Sequence, residues 1–153
     1  MKFINLTPHK LNIVRNDGSV LDIPRTQVAG QEDRFYCIRI AETRHNTESE
    51  GILFSRVEYG LPYLAIINGK GEVIETVISE DVLFAHSTEL DTAVETFLAA
   101  IKGGTHVVVA AMLAPFVDSF IKPLTAINFI LAPDLLIRNS EGDPTGSNGF
   151  SIL

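Results

Sequence analysis

The sequence predicts an α+β fold: a single domain, 1–153, built on a mixed, mostly antiparallel sheet, with one clear helix over about 88–102 and a second candidate helix over about 116–122. Three observations predict it. Short apolar stretches with near period-two spacing recur between glycine, asparagine and aspartate turns, as half-buried strands require. Only one stretch combines helical spacing with capping residues at both ends. The 153 residues are 46% hydrophobic and 20% charged, enough to bury a core without disulfide or metal staples.

Each element follows from local chemistry. Phe3, Ile4, Leu6, Leu11, Ile13 and Val14 read as two short strands around a bend at Thr7-Pro8-His9. Asn16-Asp17-Gly18-Ser19 is a tight turn, so residues 11–15 and 19–23 form a β-hairpin. Phe35–Ile40 is a strand, Thr43–Gly51 a polar, mobile connection, and Ile52–Tyr59 returns to strand. Leu64–Ile67 and Val73–Ile78 form a second hairpin through Asn68-Gly69-Lys70-Gly71. In the helix, Thr88 is placed to cap, Glu89 and Asp91 suit the positive N-terminal dipole, and Gly103-Gly104 ends it. Leu90, Ala93, Val94, Phe97, Leu98 and Ile101 fall on one face. Thr105–Ala111 has the continuous apolar character of a central strand, and strand, helix, strand in succession permit one βαβ crossover. Ile127–Leu131 and Leu135–Ile137 read as strands broken by Ala132-Pro133-Asp134, and Asn139–Gly149 as turn chemistry throughout.

Composition narrows the function classes. The opening eight residues hold no signal-peptide core, and the apolar run Val107–Val117 is too short for a bilayer span and carries Pro115. With the single unpaired Cys37, a cytoplasmic location is expected, with no membrane partner. The net charge of −7 disfavours polymeric nucleic acid. That charge is uneven. Residues 1–61 are neutral and hold six of the seven arginines (Arg15, Arg25, Arg34, Arg39, Arg44 and Arg56) among Phe35, Tyr36, Phe54 and Tyr59, whereas residues 62–104 carry a net −5. Arginine forks beside aromatic faces hold the phosphates and bases of small nucleotides, although the same alternation also serves a solvated strand face.

Catalytic and metal signatures are sparse. His9, His45, His86 and His106 show no metal-ligand spacing, and nucleophile-elbow, P-loop and dinucleotide fingerprints are missing, so no cofactor or metal is expected. His9, after a proline at a bend, is positioned for ligand contact or acid–base work. Cys37 reads as a small buried residue, and the acidic run Glu72, Glu75, Glu80, Asp81, Glu89, Asp91 and Glu95 as a solvated face.

Ile4-Asn5-Leu6-Thr7-Pro8-His9, then Gly60-Leu61-Pro62, then Asp134-Leu135-Leu136-Ile137-Arg138-Asn139-Ser140-Glu141-Gly142 with Gly146 and Gly149-Phe150, resembles a family of small uncharacterised proteins of bacteria and their phages. Its members share an N-L-T-P-H opening and an R-x-x-E-G-x-x-x-G close. They carry a Tyr-Ile-Val-Ser-like strand where this chain has Val107-Val108-Val109-Ala110, and Tyr63–Gly104 reads as an insertion. The resemblance implies no established reaction, but it singles out Asn5, Thr7 and His9 at one end and Arg138 with Glu141 at the other as one ligand-binding pocket. Three functions follow as expectations: a non-catalytic, phage-associated binder that sequesters a small anionic ligand such as a signalling nucleotide or blocks a host protein; a small hydrolase with His9 as general base and Arg138 stabilising negative charge; or an acidic protein–protein interaction module. A homo-oligomer is compatible with all three.

Overall fold

The strand alternation resolves into two sheets rather than one. The structure, a computed structural model, describes residues 1–83, 87–142 and 144–153. Its elements are β1 (Phe3–Asn5), β2 (Leu11–Val14), β3 (Val20–Ile23), β4 (Thr26–Gln27), β5 (Phe35–Ser49), β6 (Ile52–Ile67), β7 (Val73–Ser79), α1 (Thr88–Ala100), β8 (His106–Val108), α2 (Lys122–Thr125), β9 (Ile130–Arg138) and β10 (Pro144–Ile152). A six-stranded mixed sheet runs β1-β8-β9-β10-β2-β3, and a four-stranded antiparallel sheet runs β4-β5-β6-β7. The protein is thus one small sheet-dominated domain with few helical residues.

Leu6 joins the sheets. Its N–H donates to the Val108 carbonyl of the first sheet, and its carbonyl accepts from the Ile38 N–H of the second. The outer strands of the six-stranded sheet also return to one another, because Asn5 bridges Arg25 in parallel just after β3. Ile4, Val107 and Ile130 of the first sheet, with Leu6 and Val109 just past β1 and β8, share one buried cluster with Tyr36, Ile38, Leu64, Ile66 and Ile78 from the second, closed by Phe97 of α1 and Ile101 at its C-terminal cap. Segment 63–104 therefore supplies side chains to the common core.

Both predicted hairpins form, β2 with β3 and β6 with β7. The helix forms with its cap one residue earlier than expected, since Ser87 Oγ, not Thr88, accepts the Leu90 N–H. The βαβ unit is not where the sequence places it. β7 and β8 lie in different sheets, and the parallel crossover instead joins β8 to β9 through a 3₁₀ turn (Ala111–Phe116), a π turn (Val117–Ile121) and α2. The second helix over 116–122 is thus replaced by that π turn and a short α2 that ends at Ala126 in the left-handed region. Pro133 does not split β9, because it falls past Leu131, the last residue paired with β8, where a missing N–H breaks no ladder on that side. The glycine-rich close is likewise a strand, β10, and among the described residues of that stretch the turn is Asn139–Gly142. Gly146 is needed there for close approach: a Cβ would stand 3.2 Å from the Asn12 carbonyl of neighbouring β2.

The largest departure is Thr43–Gly51, which is not a connection. β5 continues to Ser49, turns through Glu50 (φ 52°) and Gly51 (φ 73°), and returns as β6. Two consecutive positive φ values make a type I′ turn, whose twist suits a two-residue hairpin. Past a bulge at Ala41, residues 41–61 project as a ribbon exposed on both faces, with only Val57 half-buried. No helix among the described residues is long and apolar enough to cross a membrane.

Candidate functional site

The bend after β1 is built by one side chain. Asn5, 1% exposed, donates from Nδ2 to the carbonyls of His9 (2.8 Å) and Ile23 (3.3 Å). Its Oδ1 accepts from the Thr7 N–H (2.9 Å) and the Thr7 hydroxyl (2.6 Å). Both donors and the acceptor of the amide are engaged within the protein, three times with backbone and once with the Thr7 hydroxyl, so Asn5 fixes the path of Thr7-Pro8-His9. Thr7 is buried as well, whereas the His9 side chain is left exposed.

Two clefts meet at this bend, and Pro8 and Ala110 line both. The bend follows β1 and Ala110 follows β8, so the site lies off the carboxyl ends of two parallel strands. The smaller cleft, about 400 Å³, is bounded by Thr7, His9, Lys10 and Asn12 against Pro133 and Ser147. The larger, about 840 Å³, is lined by Arg39, Glu42, Tyr63, Thr76, Ser79 and Asp81, with Ile38, Ile40 and Leu113 among its apolar walls. A volume of this size accommodates a drug-sized or nucleotide-sized molecule. Arg39 on β5 and Tyr63 on β6 are directly opposed in register, and both line this cleft.

The residues singled out from the sequence fall into two groups. Asn5, Thr7 and His9 come together at the bend. Arg138 and Glu141 belong to the β9–β10 turn, where the Arg138 guanidinium donates to the Gly142 carbonyl (2.8 Å) and the Glu141 N–H to Asn139 Oδ1 (2.9 Å), and neither residue lines either cleft. The arginines of residues 15–56 are dispersed. Arg15 bonds Ser19 beyond the β2–β3 hairpin, Arg25 stacks 3.9 Å over the Phe35 ring, Arg44 and Arg56 sit on the projecting ribbon, and Arg39 alone of the six lines the larger cleft. His45 pairs with Glu58 on the ribbon at 3.1 Å, and His106 packs against Phe3 and Phe129. His86 lies outside the described residues. Among the described residues no group of three His, Cys, Asp or Glu is placed to hold a metal ion.

Tyr63, Thr76 and Ser79 were not singled out from the sequence. The alternation Cys37-Ile38-Arg39-Ile40 already places Arg39 opposite the apolar face. Pairing it with Tyr63 required the register of the long hairpin, which a Glu-Gly turn does not announce as Asn-Gly would.

Cys37 is fully buried in β5, and burial pushes its thiol up to about 11. Thiolate is the reactive form, so the native protein is expected to resist a thiol reagent at about pH 8 and to react stoichiometrically once unfolded. The sign of the linkage follows. With the folded value raised, the stability this thiol contributes is fully present below the unfolded value of about 8.5 and is lost as pH rises toward 11. Fast labelling of folded protein at about pH 8 would contradict the burial.

No protein-family model, curated protein or solved structure matches the chain.

Proposed function

We propose that the chain is a non-catalytic binding protein, cytoplasmic and phage-associated, that sequesters a small anionic ligand of the nucleotide class in the larger cleft. The observation that carries this reading is the opposed pair Arg39 and Tyr63 in a cleft of about 840 Å³. The guanidinium supplies a planar fork for a phosphate, and the ring supplies a face for a base. Thr76 and Ser79 offer hydroxyls, while Glu42 and Asp81 accept from sugar hydroxyls or base amines and disfavour ligands with several phosphates. Lys10, across Pro8, places further positive charge within reach of a longer ligand, and His9 offers a ring nitrogen beside it. The resemblance to phage proteins supports the association with phage, and the arginine of β5 explains how a chain of net charge −7 holds an anion locally.

Differential scanning fluorimetry against a nucleotide panel tests the reading. A tight ligand at roughly 100-fold excess over its Kd stabilises by about 2.7 kcal/mol, a rise of several degrees in Tm. Arg39→Ala is expected to weaken binding roughly 10- to 100-fold, the value of a charge-assisted hydrogen bond. Chromatography of ligand released by heating separates sequestration from hydrolysis by His9: sequestration returns it intact. A panel in which no nucleotide moves Tm would remove the proposal.

A further inference from the structure

Among the described residues, the ribbon formed by residues 41–61 has two open edges, because β4 pairs only with Phe35 and Tyr36 of β5, and β7 only from Tyr63 onward in β6. Open edges are templates for another strand. Which groups each edge presents follows from the turn. Ser49 and Ile52 flank the two-residue type I′ turn and so exchange hydrogen bonds with each other. Thr47 and His45 repeat that inward direction. Arg44, Asn46 and Glu48 therefore send their N–H and C=O groups outward.

We infer that the β5 edge of the ribbon is a self-association site, pairing antiparallel with the same edge of a second copy of this chain about a two-fold axis at Asn46. An isologous pairing centred there sets outward residue against outward residue, which backbone hydrogen bonding requires. It also sets Arg44 against Glu48 of the second copy, and Glu48 against its Arg44, so two opposite charges meet on each side of an Asn46–Asn46 contact. Arg44 now bonds only the exposed Ser55 hydroxyl (2.9 Å), a contact it can exchange for a carboxylate. The β6 edge has its charges already paired within one copy, Arg56 with Glu58 at 2.9 Å, so a pairing centred on Val57, which would set Arg56 against Glu58 of the second copy, only exchanges one ion pair for another. Centred on Ser55, it sets Arg56 against Phe54 and gives no charge pair, and centred on Arg56 it sets like charges together. The four-stranded sheet so formed gives the exposed Leu53 and Tyr59 on one face, and Phe54 on the other, a broader support than a lone ribbon, which is marginally stable by itself.

Sedimentation or light scattering across a concentration series tests this. The wild-type mass is expected to rise from 16.7 kDa toward about twice that value. Glu48→Arg should return it to the monomer, and Arg44→Glu combined with Glu48→Arg should restore the dimer. Asn46→Pro removes one outward N–H while leaving the β5–β6 ladder intact, and should also give monomer. Because every altered residue is exposed on the ribbon, Tm of the unassociated protein serves as the check that each variant folds. Opposed residues of a hydrogen-bonded antiparallel pair lie about 5.5 Å apart, within disulfide reach. Asn46→Cys should therefore crosslink two copies on oxidation, and Ser55→Cys should not. A wild-type mass fixed at 16.7 kDa, a dimer indifferent to both Glu48→Arg and Asn46→Pro, or preferential crosslinking through Ser55→Cys each overturns the assignment.

Discussion

Asn5→Ala is expected to destabilise the protein by about 3–5 kcal/mol, a large fraction of the total stability of a domain this size. The substitution removes both donors and the shared acceptor of a residue that is 1% exposed. The Ile23 carbonyl and the Thr7 N–H lose the partners Asn5 gives them, while the His9 carbonyl keeps the Thr7 hydroxyl 3.0 Å away. Each buried polar group left unpaired costs about 1–3 kcal/mol, and the vacated volume adds to this. Thr7→Val removes only the hydroxyl and should cost about 1–2 kcal/mol. Because the two side chains share one hydrogen bond, Asn5→Ala with Thr7→Val should cost less than the sum of the singles. Urea unfolding of the four proteins measures the cycle. A loss under about 1 kcal/mol for Asn5→Ala, or strict additivity, would mean that the bend holds its shape without this amide. The unliganded smaller cleft should also deform, since Thr7 and His9 form part of its wall.

This reassigns the motif that the sequence made most conspicuous. Asn5-Leu6-Thr7-Pro8-His9 is legible as unusual because it interrupts a period-two pattern with a proline and three hydrogen-bonding side chains. Its chemistry is legible only in part: an asparagine two residues before a threonine is equally a ligand pair and an Asx turn. Burial decides in favour of the turn, and burial is a tertiary property. Arg138 and Glu141 show the same ambiguity, since a guanidinium four residues from a left-handed glycine can serve the turn it precedes, and here it donates to Gly142.

The strands were easier to read than their partners. Short-range signals, such as Asp17-Gly18 and Asn68-Gly69, mark two hairpins because the turn itself carries the geometry, whereas the two register shifts of the β6–β7 pair have no such mark. Longer-range pairing carries no such local mark. β1 lies beside β8 across more than a hundred residues, and no spacing in either three-residue strand encodes that choice. The β5 arm of the ribbon fails for a third reason, although Ile52–Tyr59 opposite it reads as strand. Thr43–Glu50 is polar and both its faces are wet, so the alternation that identifies a half-buried strand is missing there, and Glu50 adopts positive φ without being glycine, asparagine or aspartate. The larger cleft inherits that difficulty, because Arg39 and Tyr63 meet only through the long hairpin.

Phe97→Ala tests how deeply segment 63–104 is built into the domain. Phe97 is fully buried and its ring meets Tyr36 of β5 edge to face, 5.0 Å between centroids at 73°. The same buried cluster holds Leu64 and Ile78 from within the segment and Ile4, Leu6 and Val107 from outside it. Truncation leaves a large cavity and loses the aromatic contact, an expected cost of about 3–5 kcal/mol. Helix α1 is otherwise held mainly by Ile101 and the half-buried Leu90 and Val94, too little apolar surface to keep a 13-residue helix docked alone. If the core is shared, the loss is global. Urea unfolding followed by circular dichroism and by tyrosine fluorescence should then give coincident transitions, and amide exchange should accelerate together in α1, β1 and β8. An appended unit predicts the opposite pattern, with α1 losing protection while β1 and β8 keep theirs. The chemistry of the interface favours the first outcome, because the Tyr36 ring that Phe97 meets belongs to the strand that carries Arg39 three residues further on, so loosening α1 loosens the wall of the larger cleft as well.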